Sequence, residues 1–277
     1  MFLLISFKLF TQSIRITMII ATLPLLLAQA IWVRMRVVRL PEPEGARESV
    51  VLDASCNDEA VALLVVGDSA AAGVGVERQE NALFGQLVSQ LSLEINVRGK
   101  LIAKTGNTSD MLLSEVTQVT QCFNAALVSI GVNDVTKLVS LASWRNNIEA
   151  IYSHLVEHCQ CQHIVFTALP PMHNFPALPQ PLRSVLGQRA TRLNQVLESI
   201  AQEHDKMQIV TISIPQETGT NDSVLQGVEE HMNHTATFMA IDGFHPGEKG
   251  YALWAKEVSS LLLARLSHNH CEKEKRT

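Results

Sequence analysis

Val61-Ala62-Leu63-Leu64-Val65-Val66-Gly67-Asp68-Ser69 carries an unbroken apolar run straight into a Gly-Asp-Ser turn. An apolar run of this length, closed by turn residues, reads as a strand, and the company it keeps decides the fold. Four more short apolar runs follow it: Ile95–Val97, Ala125–Ile130, His163–Ala168 and Gln208–Ile212. Between them, Ala82–Leu93, Trp144–Leu155 and Leu182–Ala201 repeat apolar residues at helical intervals, and Leu186, Ala190, Leu193, Leu197 and Ile200 share one helical face. A last helix follows His245, with Pro246 in its first turn and Tyr251, Trp254, Val258 and Leu261 as its apolar stripe. The alternation predicts an α/β fold, a five-stranded parallel sheet covered by helices on both faces.

Four blocks place chemistry-bearing residues at loops of this scheme. Gly67-Asp68-Ser69 sets a hydroxyl at the carboxyl end of the first strand, where open α/β sheets bind ligands. Ala103-Lys104-Thr105-Gly106-Asn107-Thr108-Ser109 contains a glycine that lets backbone approach a ligand and offer its N–H. Gly131-Val132-Asn133-Asp134 ends another strand with an amide suited to stabilise a developing oxyanion, an effect worth about 2.7–4 kcal/mol per donor. Asp242-Gly243-Phe244-His245-Pro246 spaces an acid and a base three residues apart, so that a carboxylate can orient an imidazole that activates a serine. Taken singly, each block also fits a plain turn, a helix cap or a surface histidine.

Together, in this order and along nearly the whole globular part, the blocks resemble the SGNH (GDSL-like) hydrolase family through Ser69, Gly106, Asn133 and His245. The resemblance implies a three-layer α/β/α sandwich of flavodoxin-like type. It implies Ser69 as nucleophile, His245 as base and Asp242 as orienting acid. It further implies an oxyanion hole from the Ser69 and Gly106 N–H groups and the Asn133 side chain. The implied reaction is carboxylic ester hydrolysis through an acyl-enzyme, with no cofactor and no metal; an acyltransferase using the same residues, or a membrane-tethered binding module without catalysis, are the alternatives. The segment Pro170–Pro179 follows a strand on the catalytic edge and either walls the acyl pocket or serves as a rigid connector. It contains His173, which lacks the acid partner that His245 has. Pro215–Thr237 reads as a lid or a surface insertion.

With 277 residues, 47% of them hydrophobic, the chain can bury a substantial core. A net charge of −5 and scattered basic residues give no footprint for nucleic acid, so a small-molecule or lipid ester is the expected partner. The cysteines, Cys56, Cys122, Cys159, Cys161 and Cys271, are odd in number and lack paired CxxC spacing, which points to neither a disulfide framework nor a zinc site.

Residues 1–40 divide from the rest. Ile16–Val33 is an apolar run of about the minimum length that crosses a bilayer, flanked by Lys8 and Arg15 before it and Arg34, Arg36 and Arg39 after it. We read it as a membrane anchor. The trailing arginines place the catalytic domain on the cytoplasmic side by the positive-inside rule. A signal peptide cleaved near Ala28-Gln29-Ala30, with export, is one alternative, and a buried helix of the main domain is another. Residues 41–59 then read as a linker, 60–268 as the hydrolase domain and 269–277 as a charged tail.

Overall fold

The computed structural model of the chain describes residues 22–53, 59–175, 177–212 and 238–274. Its sheet has six strands: β1 (Glu48–Val51), β2 (Val61–Gly67), β3 (Val97–Ala103), β4 (Ala125–Ser129), β5 (His163–Thr167) and β6 (Met207–Val210). In space they run β1-β3-β2-β4-β5-β6. From β3 to β6 all pairs are parallel, as expected, but β1 pairs antiparallel with β3 and makes the sheet mixed. The added strand comes from the stretch read as a linker. It is short and mostly exposed, and its register sets Glu48 opposite Lys100, whose ammonium lies 3.1 Å from the Glu48 carboxylate.

β2 is the centre of the core because its side chains alternate between two helical layers. Leu64 and Val66 join one layer, with Leu112 of α4 (Ser109–Val116), Trp144 and Ile148 of α6 (Leu141–Glu157), and Leu193 of α7 (Leu182–Glu203). Leu63 and Val65 join the other, with Leu87 of α3 (Leu83–Leu91) and Tyr251 and Val258 of α8 (Glu248–Glu274). All four β2 side chains are fully buried. Each such burial contributes about 1.5–3 kcal/mol relative to exposure. The expected stripe of α7 is buried from Leu186 to Ile200, and in α8 Tyr251, Trp254 and Val258 are buried while Leu261 is half-buried. α8 stays helical to Glu274, so most of the stretch read as a charged tail continues it.

Because β2 lies between β3 and β4, the chain leaves its carboxyl end in one direction and returns from both sides, which opens a crevice there. The loops after β2, β3 and β4 therefore meet at one point. Two short helices follow these loops, α2 (Ser69–Ala72) and α5 (Val132–Thr136).

Residues 22–36 form a further helix, α1. It is neither buried in the domain nor separate from it. Leu26 and Val33 pack against the α6/α7 side of the core, and the Gln29 amide donates to the Gln180 carbonyl (2.6 Å) and accepts from the Leu182 N–H (3.1 Å). No helix among the described residues is long and apolar enough to cross a membrane.

Candidate active site

Ser69 is the first residue of α2, at the carboxyl end of β2. Its sharp exit from the strand depends on Gly67, where a Cβ would stand 2.0 Å from the Ser129 carbonyl of β4. Asp68 caps α2 by accepting from the Ala70 N–H (3.1 Å), so the helix start is held by a residue other than the serine. Burial pushes the Asp68 carboxyl up to about 7 against the opposing pull of that hydrogen bond and of His245. A carboxyl raised in the folded state supports stability fully below its ordinary value, and the contribution falls away as pH rises through about 7.

The turn before α8 brings His245 to the serine. His245 Nε2 lies 2.8 Å from Ser69 Oγ, and His245 Nδ1 lies 2.5 Å from Asp242 Oδ2. The other Asp242 oxygen accepts from the backbone N–H groups of Phe244 (2.9 Å) and His245 (3.0 Å). Burial works to raise the Asp242 carboxyl, but the bonds from the His245 ring and from these two N–H groups outweigh it and hold the group below its ordinary value. The carboxylate is thus ionised, fixed in place, and aimed at the imidazole. Gly75 allows the approach of the two loops: it has φ +116°, and a Cβ there would stand 2.2 Å from the Pro246 carbonyl and 3.3 Å from the His245 Cβ. The Tyr251 hydroxyl donates to the Val74 carbonyl (2.6 Å) and ties the same loop to α8.

The third side of the site comes from the loops after β3 and β4. The Asn133 amide donates one proton to the Asn107 carbonyl (2.9 Å), which leaves its second proton to act. Among the described residues the backbone N–H groups of Ser69 and Gly106 meet no acceptor. The neighbouring Asp134 is fully buried and accepts from the Ser109 N–H (3.0 and 3.1 Å) and hydroxyl (2.5 Å), which pins the start of α4 to the start of α5. Burial pushes the Asp134 carboxyl up, opposed by those bonds.

Two residues absent from the sequence reading complete this frame. Glu42, in the stretch read as a linker, accepts from the Thr105 N–H and hydroxyl, both at 2.7 Å, immediately before Gly106. Its second oxygen accepts from Arg47 (2.5 Å), which also donates to the Ala103 carbonyl (2.7 Å) at the end of β3. Burial raises the Glu42 carboxyl, but the Thr105 and Arg47 bonds outweigh it and lower the group overall. The signal in sequence is weak, since an acid in a Pro-Glu-Pro-Glu stretch looks like any solvated linker charge.

His173 stands apart: its Cβ packs against Gly187 of α7, and it makes no hydrogen bond with Ser69. The Pro-rich segment does border the site, because Phe175 meets Phe244 edge-on (5.7 Å between centroids) and Ala177 lies against Gly243. Cys159 and Cys161 are free and buried in the core, and burial holds both thiols above their ordinary value, Cys161 at about 12. Pro215–Thr237, like Cys56, lies outside the described residues.

Comparison with curated protein sequences gives no match. Solved structures give the fold. The lipase/acylhydrolase from Enterococcus faecalis superposes with a TM-score of 0.51 at 16% identity, over 74% of this chain and 96% of that one. The psychrotrophic esterase EstA from Pseudoalteromonas sp. gives 0.52 at 15%, over 74% and 98%. A carbohydrate esterase family 2 enzyme from Corynascus thermopiles (Myceliophthora fergusii), which carries a carbohydrate-binding domain, gives 0.54 at 12%, over 76% and 69%. The model of the GDSL-like lipase/acylhydrolase family matches residues 65–253, a span that contains every block from Ser69 to His245. With more than half of its length matched by the family model, the chain belongs to the GDSL-like lipase/acylhydrolase family and is a serine hydrolase of the SGNH type.

Proposed function

We propose that the chain hydrolyses carboxylic esters of apolar acyl groups through a Ser69–His245–Asp242 triad. The observation that carries this reading is the continuous chain of hydrogen bonds from Ser69 Oγ through the His245 ring to Asp242. His245 Nε2 takes the Ser69 proton as Oγ bonds to the ester carbonyl carbon. The carbonyl oxygen becomes an oxyanion held by the Ser69 and Gly106 N–H groups and the free proton of Asn133. Collapse breaks the carbon–oxygen bond to the alcohol, which leaves with the proton from His245. Water then attacks the acyl-enzyme, gives a proton to His245, and Ser69 recovers it as the acid departs. An apolar acyl group is favoured by Phe175 and Phe244 beside the acid–base turn.

The test is covalent. The Pseudoalteromonas esterase named above is inhibited by monoethylphosphonate, so an alkyl phosphonate is the fitting probe. The full chain is expected to cleave aryl esters of short and medium acyl length and to carry one phosphonate adduct, mapped by mass spectrometry to Ser69. Absence of both turnover and adduct would reject the reading.

Two supporting positions give graded expectations. Gly75→Ala forces a Cβ into a positive-φ residue and against Pro246, and His245 must move away from Ser69. A displacement of about 1 Å at reacting groups lowers turnover on the order of 100-fold, so kcat should fall by that much; an unchanged kcat would mean that the loop accommodates the methyl. Glu42→Gln replaces charged acceptors of Thr105 by a neutral amide. The loss of about 1 kcal/mol should lower kcat about fivefold, with KM unchanged because no substrate contact is removed. A rise in KM alone would place Glu42 in binding instead of positioning.

A further inference from the structure

α1 has two unlike faces. The inner one, Leu26, Gln29 and Val33, is docked on the domain. The outer one carries Leu27, Ile31 and Met35, spaced as one stripe and 61%, 51% and 80% exposed, and Val38, just past the helix, is 54% exposed. Helical geometry sets Arg34 along one border of this stripe, while Trp32 and Arg36 project from the side between the stripe and the docked face, with the Arg36 guanidinium 5.0 Å over the Trp32 ring, and Arg39 follows the end of the helix. No acidic residue occurs from Thr22 to Pro41, although the chain as a whole has a net charge of −5.

We propose that α1 lies flat in the surface of an anionic phospholipid bilayer and seats the active site beside it. A contiguous apolar stripe of this kind marks an interaction surface. Three arginines at the carboxyl-terminal end of the helix and just beyond it, with no acid among them, and an amphipathic tryptophan complement lipid phosphates at the headgroup level. The helix is held parallel to the surface because its inner face is occupied by the domain along its middle. The site lies close by: Gln180 and Leu182, which Gln29 grips, directly follow the Pro-rich segment whose Ala177 touches Gly243 of the acid–base turn. Ile241, next to Asp242, is 87% exposed and sets an apolar side chain at the catalytic turn. The inference rests on the ester-hydrolase reading for its substrate, which becomes an ester dissolved in the lipid phase.

The test uses the full chain with phosphatidylcholine vesicles, with and without phosphatidylglycerol. Trp32 is the informative fluorophore, since Trp144 and Trp254 are 0% and 6% exposed. The chain should float with the anionic vesicles, and Trp32 should be quenched more by lipids brominated near the headgroup than by lipids brominated near the bilayer centre. Arg34→Gln/Arg36→Gln/Arg39→Gln should weaken binding on the order of 100-fold, from about 1 kcal/mol per arginine. Ile31→Asp/Met35→Asp should lose flotation and hydrolysis of a vesicle-embedded ester, yet keep hydrolysis of a soluble aryl ester. Unchanged flotation of the Asp variant overturns the proposal. So does strongest quenching at the bilayer centre, which means a crossing segment, or no quenching at all, which means the face is covered by another part of the chain. A dimer in solution that the Asp variant dissociates overturns it as well. Absence of soluble-ester hydrolysis in the unmodified chain rejects the ester-hydrolase reading instead, while the vesicle result stands by itself.

Discussion

Ser69→Ala is expected to lower ester turnover by about 10⁶-fold and to abolish phosphonate labelling, with thermal stability unchanged. On the proposed mechanism the rate effect follows from the loss of the one atom that would form the acyl-enzyme. His245 and the oxyanion donors remain in the variant, so a residual rate above that of water persists through binding and electrostatics. The stability expectation follows from the structure around the serine. The cap of α2 is provided by Asp68, the turn by Gly67, and the Ser69 hydroxyl bonds to His245 within a half-buried pocket. Removing it leaves no structural partner stranded except an imidazole that water can reach, and the change in stability should stay within about 0.5 kcal/mol. Steady-state hydrolysis of a soluble aryl ester and a melting curve check both parts. Turnover within tenfold of the unmodified chain would exclude Ser69 as nucleophile and leave a water-based mechanism at His245.

What was legible in the sequence is what a single segment carries by itself. The run Val61–Val66 is strongly apolar because β2 is buried on both faces, and no polar interruption obscures it. The stripe of α7 is equally clear because one helical face alone meets the core. Ser69 and Asn133 at strand ends, and the Asp242–His245 pair before the last helix, could be singled out because the proposed reaction calls for a nucleophile, an amide donor and an acid–base pair on the carboxyl edge of such a sheet.

The rest depends on contacts between distant segments. Around β3 the apolar run marks only Ile95–Val97, whereas the strand runs Val97–Ala103 through Arg98, Gly99 and Lys100. That polar stretch is stable as a strand because β1 covers its edge, Glu48 pairs with Lys100, and Gly99 makes room for Phe84, whose ring would lie 2.9 Å from a Cβ there. β1 itself shows no alternation, as a four-residue edge strand has almost nothing to bury. Glu42 becomes a support for the Gly106 loop only when the chain doubles back across β3. The apolar segment around α1 illustrates the same limit, since hydropathy registers that its residues are apolar but not that Leu26, Gln29 and Val33 are turned to the domain.

Asp242→Asn should lower kcat/KM by about 10⁴-fold while leaving the backbone of the turn in place. The reason lies in how the two carboxylate oxygens are used. Oδ1 accepts from the N–H groups of both Phe244 and His245, and Oδ2 faces His245 Nδ1. An asparagine keeps its oxygen on the two backbone donors, because turning it would set an NH2 group against them. Its NH2 then points at Nδ1 and donates, so the neutral imidazole must carry its proton on Nε2. That tautomer cannot accept the Ser69 proton, although every heavy atom is where it was. The same substitution should also change the pH dependence of stability. The Asp242 carboxyl is lowered in the folded state, so its contribution is present above the ordinary value of 3.8 and is lost as pH falls through the folded value. The melting temperature of the unmodified chain should therefore exceed that of the variant at neutral pH, and the gap should close in acid. A gap that persists at low pH would mean that asparagine disrupts the turn itself, and the loss of activity would then be structural and not a matter of the tautomer.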